Sequence, residues 1–122
     1  MGTERFFDEY AKQYIGDYYV YIVPLKNNRK TTIDFLLWEK VKTGKRGDYY
    51  QYLNREQINR LNKDDLPTNR PVVFICQPAR IKLQKLENLK ERLGVGGRIE
   101  EYHDKFGQLN ARSFFIDRKI KP

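Results

Sequence analysis

The sequence predicts one mixed α/β or α+β domain, spanning residues 1–122, in which helices flank a mixed sheet. A chain of 122 residues suits a single core. Aromatic residues make up 14% of it, whereas disordered chains contain few aromatics. Helical and strand-like spacings of apolar residues alternate in the order α-β-β-(β)-α-β-α-β-β, which is typical of helices packed on a sheet.

The first half of the chain begins with a helix that Gly16 ends. Its apolar residues recur at helical spacing, at Phe6, Phe7, Tyr10 and Tyr14. Strand-like stretches follow over residues 18–25, 31–42 and 48–53. The polar segment "TGKRG" separates the last two. A second helix is predicted over residues 54–63, because Asn54 is a good N-cap residue.

The second half contains a buried strand, a long helix and a hairpin. The run "VVFIC" at residues 72–76 predicts the strand. The helix is predicted over residues 78–93, and Gly94 ends it. Its apolar stripe consists of Leu83, Leu86, Leu89 and Leu93. The last two strands form a hairpin around Phe106 and Gly107.

Cys76 and His103 are the only cysteine and histidine, which excludes a zinc site of the usual Cys/His kind. A single cysteine cannot form an intramolecular disulfide, and its place in an apolar run predicts a core residue. We therefore expect an intracellular protein from a reducing compartment.

The tyrosines leave two interpretations open. In the first strand, alternation places Tyr19 and Tyr21 on one face and Val20 and Ile22 on the other. Exposed tyrosines beside basic residues can stack on unpaired bases. Strand tyrosines can equally pack their rings in a core and leave the hydroxyl in water.

The net charge of +8, with a sequence pI near 9.6, predicts attraction to polyanions. We expect nucleic acid as the partner, DNA ahead of RNA, with a protein partner as an alternative and the oligomeric state open. No apolar run approaches the ~20 residues of a membrane span. The predicted nucleic-acid-binding residues are Lys40, Lys42, Lys45, Arg46, Tyr49, Tyr50, Arg98 and Arg112.

Residues 3–76 resemble the PD-(D/E)XK nucleases. Asp34, the run "KVKTG" and Gln57 stand where that family has its Asp, its Glu-x-Lys and a helical Gln, and "PVVFI" matches its closing strand. The resemblance implies Asp34, Glu39 and Lys42 as catalytic residues. Asp34 and Glu39 would bind Mg²⁺ if the protein is active, and no other cofactor is expected.

The nuclease motif is incomplete, because Lys40 occupies the position of the family's Glu. On one continuous strand, Asp34 and Lys40 would lie roughly 20 Å apart, whereas both carboxylate ligands of a Mg²⁺ ion lie within ~2.1 Å of it. We therefore predict weak or absent nuclease activity.

Residues 74–116 resemble the C-terminal part of a LAGLIDADG homing endonuclease domain. The matching features are Gln77 at a strand end, Leu86 and Leu89 in the helix, and "GVGG" at residues 94–97. This resemblance implies a DNA-facing hairpin after the glycines. The two families have different folds, and their shared implication is a basic sheet or hairpin that handles DNA.

Three functions therefore remain open at the level of sequence. The first is a small basic nucleic-acid-binding protein, related to mobile-element or viral nucleases and weakly active or inactive. The second is an active Mg²⁺-dependent endonuclease. The third is a viral or phage inhibitor that binds a host defence protein.

Overall fold

A computed structural model describes residues 3–14, 16–23, 50–77, 82–94 and 96–116. They form one small α/β domain, as the sequence predicts. Its elements are α1 (Thr3–Lys12), β1 (Tyr19–Val23), β2 (Tyr50–Tyr52), α2 (Arg55–Arg60), a 3₁₀ turn (Lys63–Asp65), β3 (Val72–Cys76), α3 (Leu83–Leu93), β4 (Arg98–His103) and β5 (Leu109–Ile116). The strand predicted over residues 31–42 lies outside the described residues.

The five strands form one mixed sheet in the order β2-β1-β3-β5-β4. Strands β2, β1 and β3 are parallel, and β5 is antiparallel to both β3 and β4. Cys76, at the end of β3, lies opposite Val23 of β1 on one side and Arg112 of β5 on the other. The prediction of a mixed sheet is confirmed.

Each face of the sheet is covered by helices, so the domain has three layers. On one face, Phe7 and Ala11 of α1 pack against Val20, Ile22 and other sheet residues. On the opposite face, α2 and α3 cover a second apolar cluster that includes Tyr19, Tyr21, Phe74 and Phe114. Because both faces of β3 are buried, all five of its residues are apolar.

Alternation along β1 separates its side chains as predicted. Tyr19 and Tyr21 belong to the cluster under α2 and α3, and Val20 and Ile22 belong to the cluster under α1. Tyr21 is fully buried, with its ring stacked on that of Phe74 at a centroid distance of 4.9 Å. The base-stacking interpretation is therefore wrong for Tyr19 and Tyr21, which are core residues.

The predicted start of α2 and the predicted end of α3 are confirmed, whereas α2 ends at Arg60, before the predicted residue 63. Asn54 and Gln57 form a reciprocal capping box at the start of α2, in which each side chain accepts from the other residue's backbone N–H. Gly94 ends α3 in the left-handed conformation, with φ of 63°. Its N–H donates to the carbonyls of Lys90 and Glu91.

The predicted leucine stripe of α3 is right at three positions and wrong at one. Leu86, Leu89 and Leu93 are buried, whereas Leu83 is 43% exposed. Leu83 is the first residue of α3, three residues before the first buried leucine of the helix. Periodicity alone does not distinguish an exposed position at a helix end from a core position.

Candidate functional site

The parallel strands β1, β2 and β3 end together, at Val23, Tyr52 and Cys76, and we call this side of the sheet the carboxyl edge. The backbone N–H of Gln77 donates to the carbonyl of Val23 at 3.0 Å, so β1 and β3 stay paired to the end. From these neighbouring ends the chain continues to strands on opposite sides, to β2 from β1 and to β4 from β3. In open α/β sheets, ligands bind at such a switch point.

The β4–β5 hairpin extends past the carboxyl edge. Arg112 lies opposite Cys76, and the pairing of β4 with β5 continues to His103 and Leu109. Three residues of β5 therefore lie beyond the end of β3, which corresponds to roughly 10 Å at the usual rise of a strand. The turn of the hairpin, residues 104–108, is the part of the described chain that projects furthest at this edge along β5. We call it the hairpin tip.

Hydrogen bonds accepted and donated by Asp104 hold the hairpin tip in one conformation. Its carboxylate accepts from the N–H groups of Phe106 at 2.8 Å and Gln108 at 2.9 Å. Its own N–H donates to the carbonyl of Gln108, and the N–H of Gly107 donates to the carbonyl of Asp104. Gly107 has φ of 84°, a conformation that side chains strongly disfavour. The tip is therefore a defined turn.

Of the three large apolar residues that are exposed in the described chain, Phe106 and Tyr102 lie beyond the end of β3, at the carboxyl edge. Phe106, in the hairpin tip, is 84% exposed, and the ammonium group of Lys105 lies 5.2 Å from its ring centroid. Tyr102 is 40% exposed, and one side of its ring packs on Tyr10 of α1. Leu83 begins α3, six residues after Gln77. This edge therefore combines apolar surface with the ends of two strands.

Most of the excess positive charge of the sequence lies in three segments, residues 24–49, 78–81 and 117–122. The described residues contain thirteen Lys and Arg and twelve Asp and Glu, which is a net charge of +1. Residues 24–49 carry +4, residues 78–81 carry +1 and residues 117–122 carry +2. The first two of these basic segments continue directly from β1 and from Gln77, at the carboxyl edge.

Three of the predicted binding residues are described. Tyr50 is half-buried in the cluster under α1, with its ring 6.4 Å from that of Tyr52. Arg98 forms an ion pair with Glu100 at 3.2 Å, and Arg112 forms one with Glu101 at 3.1 Å. The charges of Arg98 and Arg112 are thus partly neutralised by two acidic residues of β4.

The other predicted site residues lie outside the described residues. They are Asp34, Glu39, Lys40, Lys42, Lys45, Arg46 and Tyr49. The structure therefore neither brings together nor separates the proposed catalytic group. Among the residues that it does describe, no cluster of three or more His, Cys, Asp or Glu side chains is placed to hold a metal ion.

Several residues that the family resemblances single out have structural roles. The side chain of Gln57 caps the start of α2, and Gly94 ends α3. At Gly97, an added Cβ would collide with the backbone carbonyl oxygen of Phe115 and come within 2.6 Å of a ring carbon of Phe114. These roles explain the residue types without a ligand.

Cys76 is fully buried, and this burial raises the pKa of its thiol well above the ordinary range. A thiol held protonated in the core is a poor nucleophile. The prediction that Cys76 is a core residue is confirmed.

Sequence reasoning located the hairpin tip but missed Phe106 as a candidate site residue. The signal was available, because the turn "DKFGQ" places a large apolar side chain where turns usually carry polar residues. Only the structure reveals that this side chain finds no place in the core.

Comparison with known proteins finds no match to a family model, to a curated protein or to a solved structure. None of the helices in the described parts of the chain is both long enough and apolar enough to cross a membrane.

Proposed function

We propose that this protein binds nucleic acid, DNA ahead of RNA, with the carboxyl edge of its sheet as the binding side. The observation that carries the proposal is the separation of charge. The described body is close to neutral, whereas residues 24–49 and 78–81 together carry +5 and continue from adjacent strand ends. Phosphate contacts are made by Lys and Arg and need no base-specific geometry.

The uneven distribution of charge along the chain supports this proposal over a basic surface that merely keeps the protein soluble. Charge kept for solubility would be spread over the exposed faces of the helices and the sheet. Here the described body balances its cations with acids, as in the pairs of Arg60 with Glu56, Arg98 with Glu100, and Arg112 with Glu101. Seven cations fall within residues 24–49, and a local excess of positive charge attracts a polyanion.

The proposed cleavage chemistry keeps the expectation from the sequence. The protein would be related to mobile-element or viral nucleases and would cleave weakly or not at all, because Lys40 replaces the family's Glu. Incubation of labelled duplex DNA with Mg²⁺ checks this. Cleavage that disappears in Asp34→Asn would establish an active endonuclease and overturn the expectation.

The binding proposal is tested by the salt dependence of DNA affinity. Replacing Lys45 and Arg46 together by alanine should reduce the slope of log affinity against log salt concentration by about 2 for duplex DNA. The loss should be similar for different sequences, because phosphate contacts do not read bases.

The matched control removes two cations from the described body. Arg60→Ala combined with Lys63→Ala changes the net charge equally but lies on α2 and the following 3₁₀ turn. The exposed pair of Arg60 with Glu56 contributes little to stability, so the control should fold normally. An equal fall of the slope in both double variants would show that net charge acts without a defined site. A parent protein that binds no nucleic acid would refute the proposal outright.

A further inference from the structure

We propose that the hairpin tip is a stacking platform on which the ring of Phe106 receives an unpaired base of single-stranded DNA. This inference rests on the proposed function and adds to it a strand preference and a contact residue. It does not follow from net charge, since it concerns a neutral aromatic side chain.

The exposure of Phe106 is the first observation. The ring is 84% exposed, although the domain buries Phe7, Phe74 and Phe114 completely. Leaving a phenylalanine in water forgoes roughly 1.5–3 kcal/mol relative to burial. A turn residue has no packing reason to be aromatic, so this cost points to a contact made with another molecule.

The rigidity of the tip is the second observation. Two N–H groups donate to one carboxylate oxygen of Asp104, and two backbone hydrogen bonds close the turn around it. A side chain carried on an ordered turn loses less conformational freedom on binding than one on a mobile loop. The backbone that carries Phe106 is therefore already ordered before a partner binds.

The chemistry beside the ring favours a nucleotide over a purely apolar partner. Lys105 places its ammonium group 5.2 Å from the centroid of Phe106, so a cation and an aromatic ring are adjacent. A nucleotide offers both complements, a base for the ring and a phosphate for the ammonium group. An apolar protein pocket would have to desolvate that charge without pairing it.

The strand preference follows from base stacking. In a duplex, both faces of an internal base are already stacked on neighbouring pairs, so an aromatic ring has no free base to contact without unstacking one. Single strands expose their bases, and stacking with aromatic side chains tolerates any sequence. Phe106 should thus contribute to single-strand affinity only.

The test compares Phe106→Ala with the parent on an oligothymidine and on a duplex of the same length. We expect single-strand affinity to fall about 5- to 150-fold and duplex affinity to stay within about twofold. Phe106→Tyr should keep most single-strand affinity, because it retains the ring. Phe106→Leu is the matched control, since it keeps an apolar side chain at the same position but removes the aromatic ring. It should lose nearly as much single-strand affinity as Phe106→Ala and leave duplex affinity unchanged.

A second readout locates the contact directly. Ultraviolet cross-linking of the parent to the oligothymidine, followed by trypsin, should label the peptide 106–112, which lies between Lys105 and Arg112. Equal single-strand affinity of Phe106→Ala and the parent, with no label on this peptide, would overturn the stacking platform and leave the proposed function standing. So would an equal fall on both substrates. A parent that binds neither substrate would overturn both proposals.

Discussion

The two ends of the β4–β5 hairpin are built from the same kinds of residue and have opposite environments. The hairpin base, residues 97–99 with 114–116, has Gly97 and places Arg98 over the ring of Phe115 at 4.3 Å. The tip has Gly107 and places Lys105 over the ring of Phe106 at 5.2 Å. Phe115 is 3% exposed, whereas Phe106 is 84% exposed.

The difference comes from what covers each end. At the base, the rings of Tyr14 and Tyr18 lie edge-on to Phe115, each at a centroid distance of 5.8 Å. The partial burial of Tyr14 raises the pKa of its hydroxyl, and the hydrogen bond to Tyr10 raises it further. At the tip, β4 and β5 have passed the end of β3, so the sheet no longer provides a neighbour. An aromatic ring beside a cation is therefore a core contact at one end and a candidate binding surface at the other.

The largest expected effect separates the two phenylalanines. Phe115→Ala should lower the free energy of unfolding by about 3–5 kcal/mol, because it removes a buried ring and leaves a cavity. Phe106→Ala should change it by less than about 0.5 kcal/mol, because the ring is exposed. Denaturation by urea measures both. Equal losses would mean that the tip packs against the body and is not an exposed surface.

A similar contrast is expected along α3. Leu89→Ala should lower the free energy of unfolding by about 2–5 kcal/mol, because Leu89 is 4% exposed and lies on the buried face of α3. Leu83→Ala, in the first turn of α3, should cost less than about 1 kcal/mol, because Leu83 is exposed. The urea denaturation midpoints of the two variants measure this contrast. An unchanged midpoint for Leu89→Ala would identify the leucine stripe as an interaction surface.

Alanine substitutions at the two glycines of the hairpin, Gly97 and Gly107, should lower stability for different reasons. Gly97→Ala should cost about 1–3 kcal/mol, because its Cβ meets the Phe115 carbonyl and little space can be made beside a backbone atom. Gly107→Ala should cost about 1–2 kcal/mol, because φ of 84° strains a side chain although no described atom lies within 4 Å of the added Cβ.

Asparagine distinguishes these two causes, since it tolerates a left-handed backbone better than alanine. Gly107→Asn should be more stable than Gly107→Ala, whereas Gly97→Asn should be no better than Gly97→Ala. Thermal unfolding of the four variants gives the ranking. A rescue by asparagine at Gly97 would contradict the steric explanation.

The smallest effect concerns the cations. Arg98→Ala should lower stability by about 0.5–1 kcal/mol, because it removes a cation from the face of Phe115. It also removes the ion pair with Glu100, and this part of the loss should shrink at high salt. Lys105→Ala should leave stability unchanged within error. A larger loss for Lys105→Ala than for Arg98→Ala would reverse the comparison.

Local patterns determined much of the fold, because they depend on neighbours in the chain. The capping of α2 by Asn54, the end of α3 at Gly94 and the turn at Gly107 all follow from residues a few positions apart. The alternation of β1 fixed which side chains share a face, since successive residues of a strand point to opposite sides. The mixed sheet and the core position of Cys76 were likewise predicted.

Local patterns could not determine what covers each residue, because coverage depends on elements far apart in the chain. The spacing of Leu83 matches that of Leu86 and Leu89, yet only Leu83 is exposed. Alternation in β1 does not decide whether Tyr19 and Tyr21 face solvent. The packing of α2 and α3 over this face of the sheet buries both side chains.

The candidate site divides in the same way. The sequence by itself determined the amount of positive charge and the segments that carry it, because charge is a property of residue type. Only the tertiary structure brought the starts of residues 24–49 and 78–81 to one edge, since β1 and β3 pair there across about fifty residues of chain. β3 ends opposite Arg112, so the sheet provides no neighbouring strand for the hairpin tip. Phe106 therefore stays in solvent whereas Phe115 is buried, because burial depends on contacts between residues far apart in the chain.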